Sequence, residues 1–337
     1  KKYKMSKVLL IGGGGYIGTV LTKHFLELQQ KVVCIDRFIY NHNQSILNFE
    51  KNKNYQFVFG DFSNYDLLDS IIQGVNNVVI LGGLVGDPIT KKYPKTSEII
   101  NDIAIKKCID YFDNKNISKL IFISTCSNYG LIPDNVLADE NYELRPLSLY
   151  ANAKVDNEKY LLSKKGKVIY SGVILRFATA FGLSDRMRFD LTISQFTKEL
   201  YVNKELLVFD ENTWRPYCHV NDFALLIELV FKANKELVDF EIFNAGGTGN
   251  NYTKKMIVEA ILEKIPNCQI HYNQNDSDPR NYRVDFTKVK KRLNFIPKYN
   301  LNYGIEELLV AFEKGKYIDK NEDDIQYGNY ELNYSLD

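Results

Sequence analysis

The stretch Val8-Leu-Leu-Ile-Gly-Gly-Gly-Gly-Tyr-Ile-Gly18 decides the fold of this 337-residue chain. Its first four residues are a short apolar run, which is typical of a strand buried on both faces. Gly12, Gly15 and Gly18 follow with the spacing G-x-x-G-x-x-G and open a segment with helical periodicity, 16–30. Glycine lets the backbone approach a pyrophosphate, and a helix N-terminus offers it free N–H groups. The stretch predicts a dinucleotide-binding turn; the alternative is a glycine-rich turn without a ligand.

The pattern beyond this stretch alternates apolar strand-like runs with helical segments. Such alternation predicts an α/β fold, a Rossmann doubly wound parallel sheet with a smaller C-terminal α/β substrate-binding part. Residues 1–180 are the expected dinucleotide-binding domain, with a return strand near 240–245, and 181–337 are expected to be mainly substrate-binding. The predicted strands are 8–11, 31–35, 55–59, 78–81, 120–123 and 172–177, and the predicted helices are 16–30, 96–113, 149–163 and 224–233.

Composition excludes several classes of function. The net charge of +1 gives no indication of a nucleic-acid partner. No apolar stretch reaches the ~18 residues of a membrane span, and the basic start of the chain does not resemble a signal peptide. The five cysteines and four histidines form no cluster with metal-ligand spacing. We therefore expect reduced thiols, no metal and a cytoplasmic protein.

Carboxylates follow the second and third predicted strands. Asp36 ends the second strand, where its oxygens can accept both hydroxyls of a ribose and repel a 2′-phosphate. This position favours NAD over NADP, although the neighbouring Arg37 keeps NADP open as the alternative. Asp61 ends the third strand and is a candidate to bind the adenine amine; a loop-capping role is the alternative.

The sequence Tyr150-Ala-Asn-Ala-Lys154 places a phenol and an ammonium on one face of a predicted helix. A lysine cation beside a phenol favours the phenolate, so the tyrosine can act as a base near neutral pH. Thr125 and Ser127 end the fifth predicted strand, at the sheet edge where ligands bind. Either hydroxyl can hydrogen-bond a reacting oxygen.

These motifs, in this order, resemble the extended short-chain dehydrogenases/reductases of the nucleotide-sugar epimerase/dehydratase group. The resemblance covers nearly the whole chain and implies a homodimer formed by helices near 96–113 and 149–163. The matching pieces are Gly12-x-x-Gly15-x-x-Gly18, Asp36, Asp61, Ser124-Thr125-x-Ser127-x-Tyr129-Gly130, Tyr150-x-x-x-Lys154, Leu175-Arg176-Phe177, Trp214-Arg215-Pro216-Tyr-Cys-His219-Val220 and Arg280-x-Tyr282.

The resemblance implies a role for each matching residue. Tyr150 is the expected base that takes the proton from the sugar hydroxyl, with Lys154 and Thr125 as its catalytic partners. Asn101 matches a helix asparagine that supports the site, with a solvent-facing residue as the alternative, and His219 is expected to be structural. The residues expected to bind NAD are Gly12, Gly15, Tyr16, Ile17, Gly18, Asp36, Asp61, Phe62, Leu81, Gly82, Gly83, Tyr150 and Lys154, and those expected to bind the nucleotide-diphospho sugar are Ser127, Thr179, Arg186, Arg188, Arg215 and Arg280.

Departures from the family pattern narrow the chemistry. The 4,6-dehydratases carry an Asp-Glu pair directly after the threonine, whereas this chain has Cys126 and Ser127. We therefore predict NAD-dependent oxidation at C4 of the sugar, by a C4 dehydrogenase or as the first half of a C4 epimerisation. Segments 82–89 and 175–182 resemble a subgroup acting on GDP-heptoses in bacterial capsule synthesis. The alternatives are a UDP-sugar 4-epimerase and, below it, a dehydratase or a non-catalytic NAD-binding protein.

Overall fold

The computed structural model describes residues 6–274, 280–321, 323–334 and 336 of the chain. Within them the strands are β1 (Lys7–Ile11), β2 (Lys31–Asp36), β3 (Tyr55–Phe59), β4 (Val75–Ile80), β5 (Lys119–Thr125), β6 (Ser171–Phe177), β7 (Thr179–Phe181), β8 (Glu205–Phe209), β9 (Trp214–His219), β10 (Glu241–Ala245), β11 (Asn251–Thr253) and β12 (Gln269–Asn273). The α-helices are α1 (Tyr16–Glu27), α2 (Tyr65–Ile71), α3 (Asp87–Lys92), α4 (Pro94–Ser97), α5 (Ile105–Tyr111), α6 (Leu149–Leu162), α7 (Thr192–Asn203), α8 (Val220–Lys232), α9 (Lys235–Val238), α10 (Lys254–Leu262), α11 (Thr287–Leu293) and α12 (Leu301–Glu313).

Seven strands form one sheet in the order β3-β2-β1-β4-β5-β6-β10. Every neighbouring pair in this sheet is parallel. The strand order reverses beside β1, so a crevice opens at the carboxyl ends of β1 and β4. The predicted Rossmann doubly wound fold is confirmed.

Several predicted elements differ from the observed ones at their ends. β4 begins at Val75 rather than at residue 78, because Asn77 pairs with Val8 although it interrupts the apolar run. The helix predicted over 96–113 runs from α4 to α5, and its middle, Glu98–Ala104, winds as a π-helix. This short π-helix, called the π-turn below, has no sequence period of its own, so the apolar pattern could not reveal it.

Residues beyond position 180 contribute both to the main sheet and to the two smaller sheets. β10 pairs with β6 at the edge of the main sheet. The smaller sheets are β7-β9-β11 and β8-β12. One cluster of buried side chains runs without interruption from Val8 in β1 to Phe312 in α12. The division of the chain at residue 180 therefore stays a prediction, since one core is shared across it.

A buried ion pair fixes helix α6 against the sheet. Glu158 accepts hydrogen bonds from the Arg176 guanidinium at 2.7 Å and from Asn128 Nδ2 at 2.9 Å. Both charged side chains are only 3% exposed. Glu158 lies four and eight residues after Lys154 and Tyr150, on the buried face of the same helix. The pair thus sets the position of both predicted catalytic side chains.

We predict that Glu158→Ala lowers the free energy of unfolding by about 3–5 kcal/mol, because it leaves the Arg176 cation buried without a partner. Urea unfolding followed by circular dichroism measures this change. The matched control is Glu143→Ala, which removes the 69%-exposed partner of Arg145 and should cost less than ~1 kcal/mol. Equal effects of the two substitutions would contradict the prediction.

Candidate functional site

One cleft of about 650 Å³ lies at the carboxyl edge of the main sheet and continues between the sheet and the C-terminal part. All the site residues that the sequence predicts line it. They are Gly12, Gly15, Tyr16, Ile17, Gly18, Asp36, Asp61, Phe62, Leu81, Gly82, Gly83, Thr125, Ser127, Tyr150, Lys154, Thr179, Arg186, Arg188, Arg215 and Arg280.

The glycine-rich turn approaches the neighbouring strand as closely as a backbone can. Gly12 has φ of +79°, and a Cβ there would lie 2.6 Å from the Cα of Gly82. Gly15 is the N-cap of α1, and neither a capping side chain nor an acidic residue occupies the first turn. The N–H groups of that turn are therefore available to an anion. This cradle fits the pyrophosphate of a dinucleotide.

Asp36 is held at the end of β2 with its carboxylate toward this turn. Its oxygens accept the N–H of Gly14 at 3.0 Å and that of Phe38 at 2.8 Å. Burial raises the pKa of this carboxyl, but His42 and the two N–H donors outweigh burial and lower it. Asp36 is therefore an anion, and its remaining lone pairs suit hydroxyl donors.

Arg37 is engaged rather than free to receive a 2′-phosphate. Its guanidinium pairs with Asp61 at 3.1 Å and lies 4.4 Å from the ring centre of Tyr334. This arrangement brings a residue near the end of the chain to the adenosine end of the predicted cofactor site.

The loop after β4 is held by Asn101. The amide of Asn101 accepts the Leu84 N–H at 2.7 Å and donates to the Leu84 carbonyl at 3.0 Å. The backbone carbonyl of Asn101 accepts a hydrogen bond from the side-chain amide of Asn157 at 2.6 Å. Asn101 is 4% exposed and lies in the π-turn. The solvent-facing alternative is therefore wrong, and the π-turn links the loop to α6.

Tyr150 and Lys154 share the inner face of α6, as their spacing predicts. Lys154 Nζ donates to the Ile123 carbonyl at 2.8 Å and lies 5.8 Å from the centre of the Tyr150 ring. Burial raises the pKa of Tyr150, and the Asp87 carboxylate raises it further. Burial also lowers the pKa of Lys154 to about 8.

The expected lowering of the Tyr150 pKa by Lys154 is not seen in this arrangement. The Lys154 ammonium is directed to the Ile123 carbonyl. Arg188 is the cation that lowers the pKa of the phenol, and burial outweighs it. A phenolate at Tyr150 therefore requires an additional positive charge nearby.

Hydroxyl groups form a chain beside Tyr150. Thr125 Oγ1 donates to Ser127 Oγ at 3.1 Å, and that oxygen lies 3.2 Å from the Tyr282 hydroxyl. The Arg215 guanidinium stacks on the Tyr282 ring at 5.0 Å. Tyr282 lines the cleft but was not among the predicted site residues, although the Arg280-x-Tyr282 motif signals it.

Two of the arginines that the sequence predicts to bind the substrate, Arg280 and Arg188, are paired with carboxylates. Arg280 pairs with Asp87 at 2.8 Å. Arg188 and Asp190 form a two-point ion pair, with Arg188 Nε 3.0 Å from Asp190 Oδ1. Asp87 lines the cleft, and the sequence analysis did not identify it.

The end of the chain crosses the mouth of the cleft. We name residues 323–334 and 336 the C-terminal strap. Its Asn333 binds the Phe38 carbonyl at 3.0 Å on one side, and its Leu336 N–H binds Thr96 at 2.8 Å on the other. The only sequence signal for it was a Tyr/Asn-rich composition, which gives no location.

His219 lies outside the cleft, as its expected structural role requires. It caps α8 by accepting the Asn221 N–H at 3.1 Å, and its other ring nitrogen lies 2.8 Å from Glu307. The five cysteines are free thiols. In the described part of the chain, no three His, Cys, Asp or Glu side chains are placed to hold a metal. None of the helices described is long and apolar enough to cross a membrane.

Relatives resemble the chain over almost their full lengths. An uncharacterized protein of Methanocaldococcus jannaschii is 26% identical over 331 residues, covering 94% of this chain and 98% of its own. UDP-glucuronate 4-epimerase of Thermodesulfobacterium geofontis is 25% identical over 315 residues, covering 90% and 94%. A crystal structure of UDP-glucuronic acid 4-epimerase from Bacillus cereus, with UDP-glucuronic acid and NAD, superimposes with a TM-score of 0.81. It is 24% identical and covers 91% of this chain and 99% of its own.

The match to a family is direct. Residues 8–246 match the NAD dependent epimerase/dehydratase family, and these residues include the glycine turn and the Tyr150–Lys154 pair. The predicted NAD cofactor and the resemblance to extended short-chain dehydrogenases/reductases are thereby confirmed. This chain belongs to the NAD dependent epimerase/dehydratase family.

Proposed function

We propose that this enzyme oxidises the C4 hydroxyl of a nucleotide-diphospho sugar, with Tyr150 as the base. The observation that carries the proposal is the meeting of Tyr150, Lys154 and Thr125 in the cleft that also holds the dinucleotide turn. A proton acceptor and a hydride acceptor at one carbon are what alcohol oxidation needs. NAD supplies the hydride acceptor when it is bound.

The protein side of the reaction is proton transfer and orientation. Tyr150 takes the proton of the sugar hydroxyl, while Thr125 hydrogen-bonds the same oxygen through the hydroxyl that it otherwise directs to Ser127. Lys154, fixed by the Ile123 carbonyl, holds positive charge beside the phenol. With a pKa of about 8, Lys154 is largely protonated at neutral pH.

The diphosphate of the substrate is assigned to Arg215 and Arg280, with Thr179, Ser127 and Arg188 lining the sugar end. A planar guanidinium suits phosphate because it donates two parallel hydrogen bonds. In this structure the Arg280 guanidinium forms an ion pair with the Asp87 carboxylate. A phosphate that binds Arg280 therefore competes with the Asp87 carboxylate for the guanidinium. The ion pair also holds this carboxylate near the proposed position of the sugar.

The residues after Thr125 argue against a dehydratase. Cys126 is 1% exposed, and its thiol is directed to the Arg176 carbonyl at 3.2 Å. Burial raises the pKa of this thiol well above its ordinary value. A buried neutral thiol and the Ser127 hydroxyl cannot serve as the acid and base of water elimination.

Two substrate classes remain as proposals. The first is a C4 dehydrogenase of a GDP-sugar such as GDP-heptose, which rests on the resemblance of segments 82–89 and 175–182 to the GDP-heptose subgroup. The second is a UDP-sugar 4-epimerase, supported by the similarity to UDP-glucuronate 4-epimerase. A homodimer and a cytoplasmic location are proposed with both.

Product analysis separates these proposals. The protein is incubated with NAD and a panel of GDP-, UDP-, CDP- and dTDP-sugars, and the products are analysed by chromatography and mass spectrometry. Loss of two hydrogens identifies a dehydrogenase, and an unchanged mass with a new peak identifies an epimerase. Loss of water would contradict the argument from Cys126.

We predict that Tyr150→Phe reduces turnover at least ~10²-fold, as expected for loss of a general base. NAD binding should persist, because the dinucleotide turn is untouched. The matched control is Tyr160→Phe on the same helix, whose hydroxyl bonds Asp110 at 2.6 Å away from the cleft. Unchanged turnover in Tyr150→Phe would remove the proposed base.

We predict that Asp87→Asn moves the acid limb of the kcat/KM pH profile to lower pH. The Asp87 carboxylate adds to burial in raising the pKa of Tyr150, so its neutralisation lowers the pH at which the base forms. Asp102→Asn, on the outer face of the π-turn and paired with Lys106, is the control and should leave the limb in place. A limb that stays, or moves to higher pH, in Asp87→Asn would refute this coupling.

A further inference from the structure

Arg186 is a buried cation without a carboxylate partner in the described part of the chain. Its side chain is 3% exposed and lines the cleft. One of its terminal nitrogens donates to Asn329 Oδ1 at 2.8 Å and, more weakly, to the Gly328 carbonyl at 3.4 Å. Its Nε has no hydrogen-bond partner. Donors of this guanidinium therefore remain unused.

Such an arrangement is costly for the protein alone. A buried guanidinium loses its hydration, and a neutral amide and the ring of Tyr40, 4.9 Å away, replace only part of it. The neighbouring Arg188 is neutralised by Asp190, whereas Arg186 is not. A cation held in this way is suited to an anion that enters the cleft.

The position of Arg186 indicates which anion it can bind. The Arg186 N–H donates to Ser184 Oγ at 3.2 Å, and Ser184 Oγ donates to the Tyr16 carbonyl at 2.7 Å. Tyr16 is the first residue of α1. The segment that carries Arg186 is thus fastened to the helix N-terminus where the pyrophosphate of a dinucleotide binds.

The C-terminal strap holds the guanidinium in place. Asn329 gives its oxygen to Arg186 and its amide N–H to the Val85 carbonyl at 3.0 Å. Val85 belongs to the loop after β4 and lines the cleft. Asn329 is 4% exposed, so this bridge is part of the interior.

We propose that Arg186, positioned by Asn329 of the C-terminal strap, binds the pyrophosphate of the NAD cofactor. This assignment replaces the sequence expectation that Arg186 binds the sugar nucleotide. It rests on membership of the NAD dependent family but not on the identity of the sugar. The strap thereby becomes part of the cofactor site, and its removal loosens the cofactor.

The test measures NAD binding to the purified full chain by calorimetry, without turnover. Arg186→Met should weaken NAD binding ~10-fold or more, because a charge-assisted hydrogen bond is lost, and Arg186→Lys should restore part of it. Arg145→Met, which removes an exposed arginine outside the cleft, should change the Kd less than ~2-fold. An unchanged Kd in Arg186→Met would overturn the proposal.

A second readout separates binding from a structural role. Without NAD, Arg186→Met should have a Tm equal to or above that of the natural protein, because it removes a buried charge that Asp190 and Asp36 attract without forming an ion pair. A lower Tm together with unchanged NAD affinity would make Arg186 structural. Asn329→Ala should weaken NAD binding several-fold through the misplaced guanidinium; no change would overturn the role of the strap.

Ligand fragments locate the contact. Competition with ADP-ribose, which carries the pyrophosphate, should weaken in Arg186→Met, whereas competition with adenosine should not change. If Arg186→Met weakens binding of UDP or GDP while NAD binding is intact, the cation serves the sugar nucleotide and the proposal fails. Because these measurements use no sugar, an error in the proposed C4 chemistry would leave them unaffected.

Discussion

The parallel pairing of β1 with both β2 and β4 is the constraint on which the site depends. The pairing makes β1 the strand at which the order of the sheet reverses, so the turn after Ile11 opens into a crevice instead of a closed edge. Gly12 then approaches the backbone of Gly82 so closely that Gly12 cannot carry a Cβ. The cofactor turn, the loop after β4 and the end of β5 all meet at this point.

Three arginines that line the cleft are held in ion pairs with carboxylates. Asp87 neutralises Arg280, Asp190 neutralises Arg188, and Asp61 neutralises Arg37. Each pair contributes a guanidinium that an incoming phosphate can share. Arg186 alone among these four arginines is left to amide, carbonyl and ring contacts. Arg186 is therefore a buried cation in the cleft that an entering anion can bind directly.

The proposed C4 chemistry depends on how the burial of the Tyr150 phenol is compensated. Burial and the Asp87 carboxylate raise the pKa of the Tyr150 phenol, so the neutral phenol is the stable form in this structure. Positive charge near the phenol favours the phenolate, but the Lys154 ammonium is directed to the Ile123 carbonyl.

Local patterns predicted much of the fold and many of the residues that line the cleft. Gly12, Gly15 and Gly18, and the pair Tyr150 and Lys154, are set by spacing within one turn or helix, so their positions follow from the sequence. Contacts between distant segments could not be predicted. The approach of Asn329 to Arg186 joins residues 143 positions apart, and neither has a motif of its own.

The C-terminal strap illustrates the same limit. Its sequence is acidic and rich in Tyr and Asn, and it has no apolar period that predicts a location. Its position is set by hydrogen bonds to other segments of the chain. The structure places Tyr150, Lys154 and Thr125 in one cleft, and their catalytic roles remain proposals.

The most direct test of the account follows the hydrogen at C4. A nucleotide sugar that carries deuterium at C4, chosen from the product screen, is mixed with the enzyme and stoichiometric NAD for a single turnover. The account predicts that deuterium moves to the nicotinamide ring and that the step is slower than with hydrogen. Deuterium that stays on the sugar throughout turnover, or exchanges with solvent without reaching the nicotinamide, would contradict oxidation at C4.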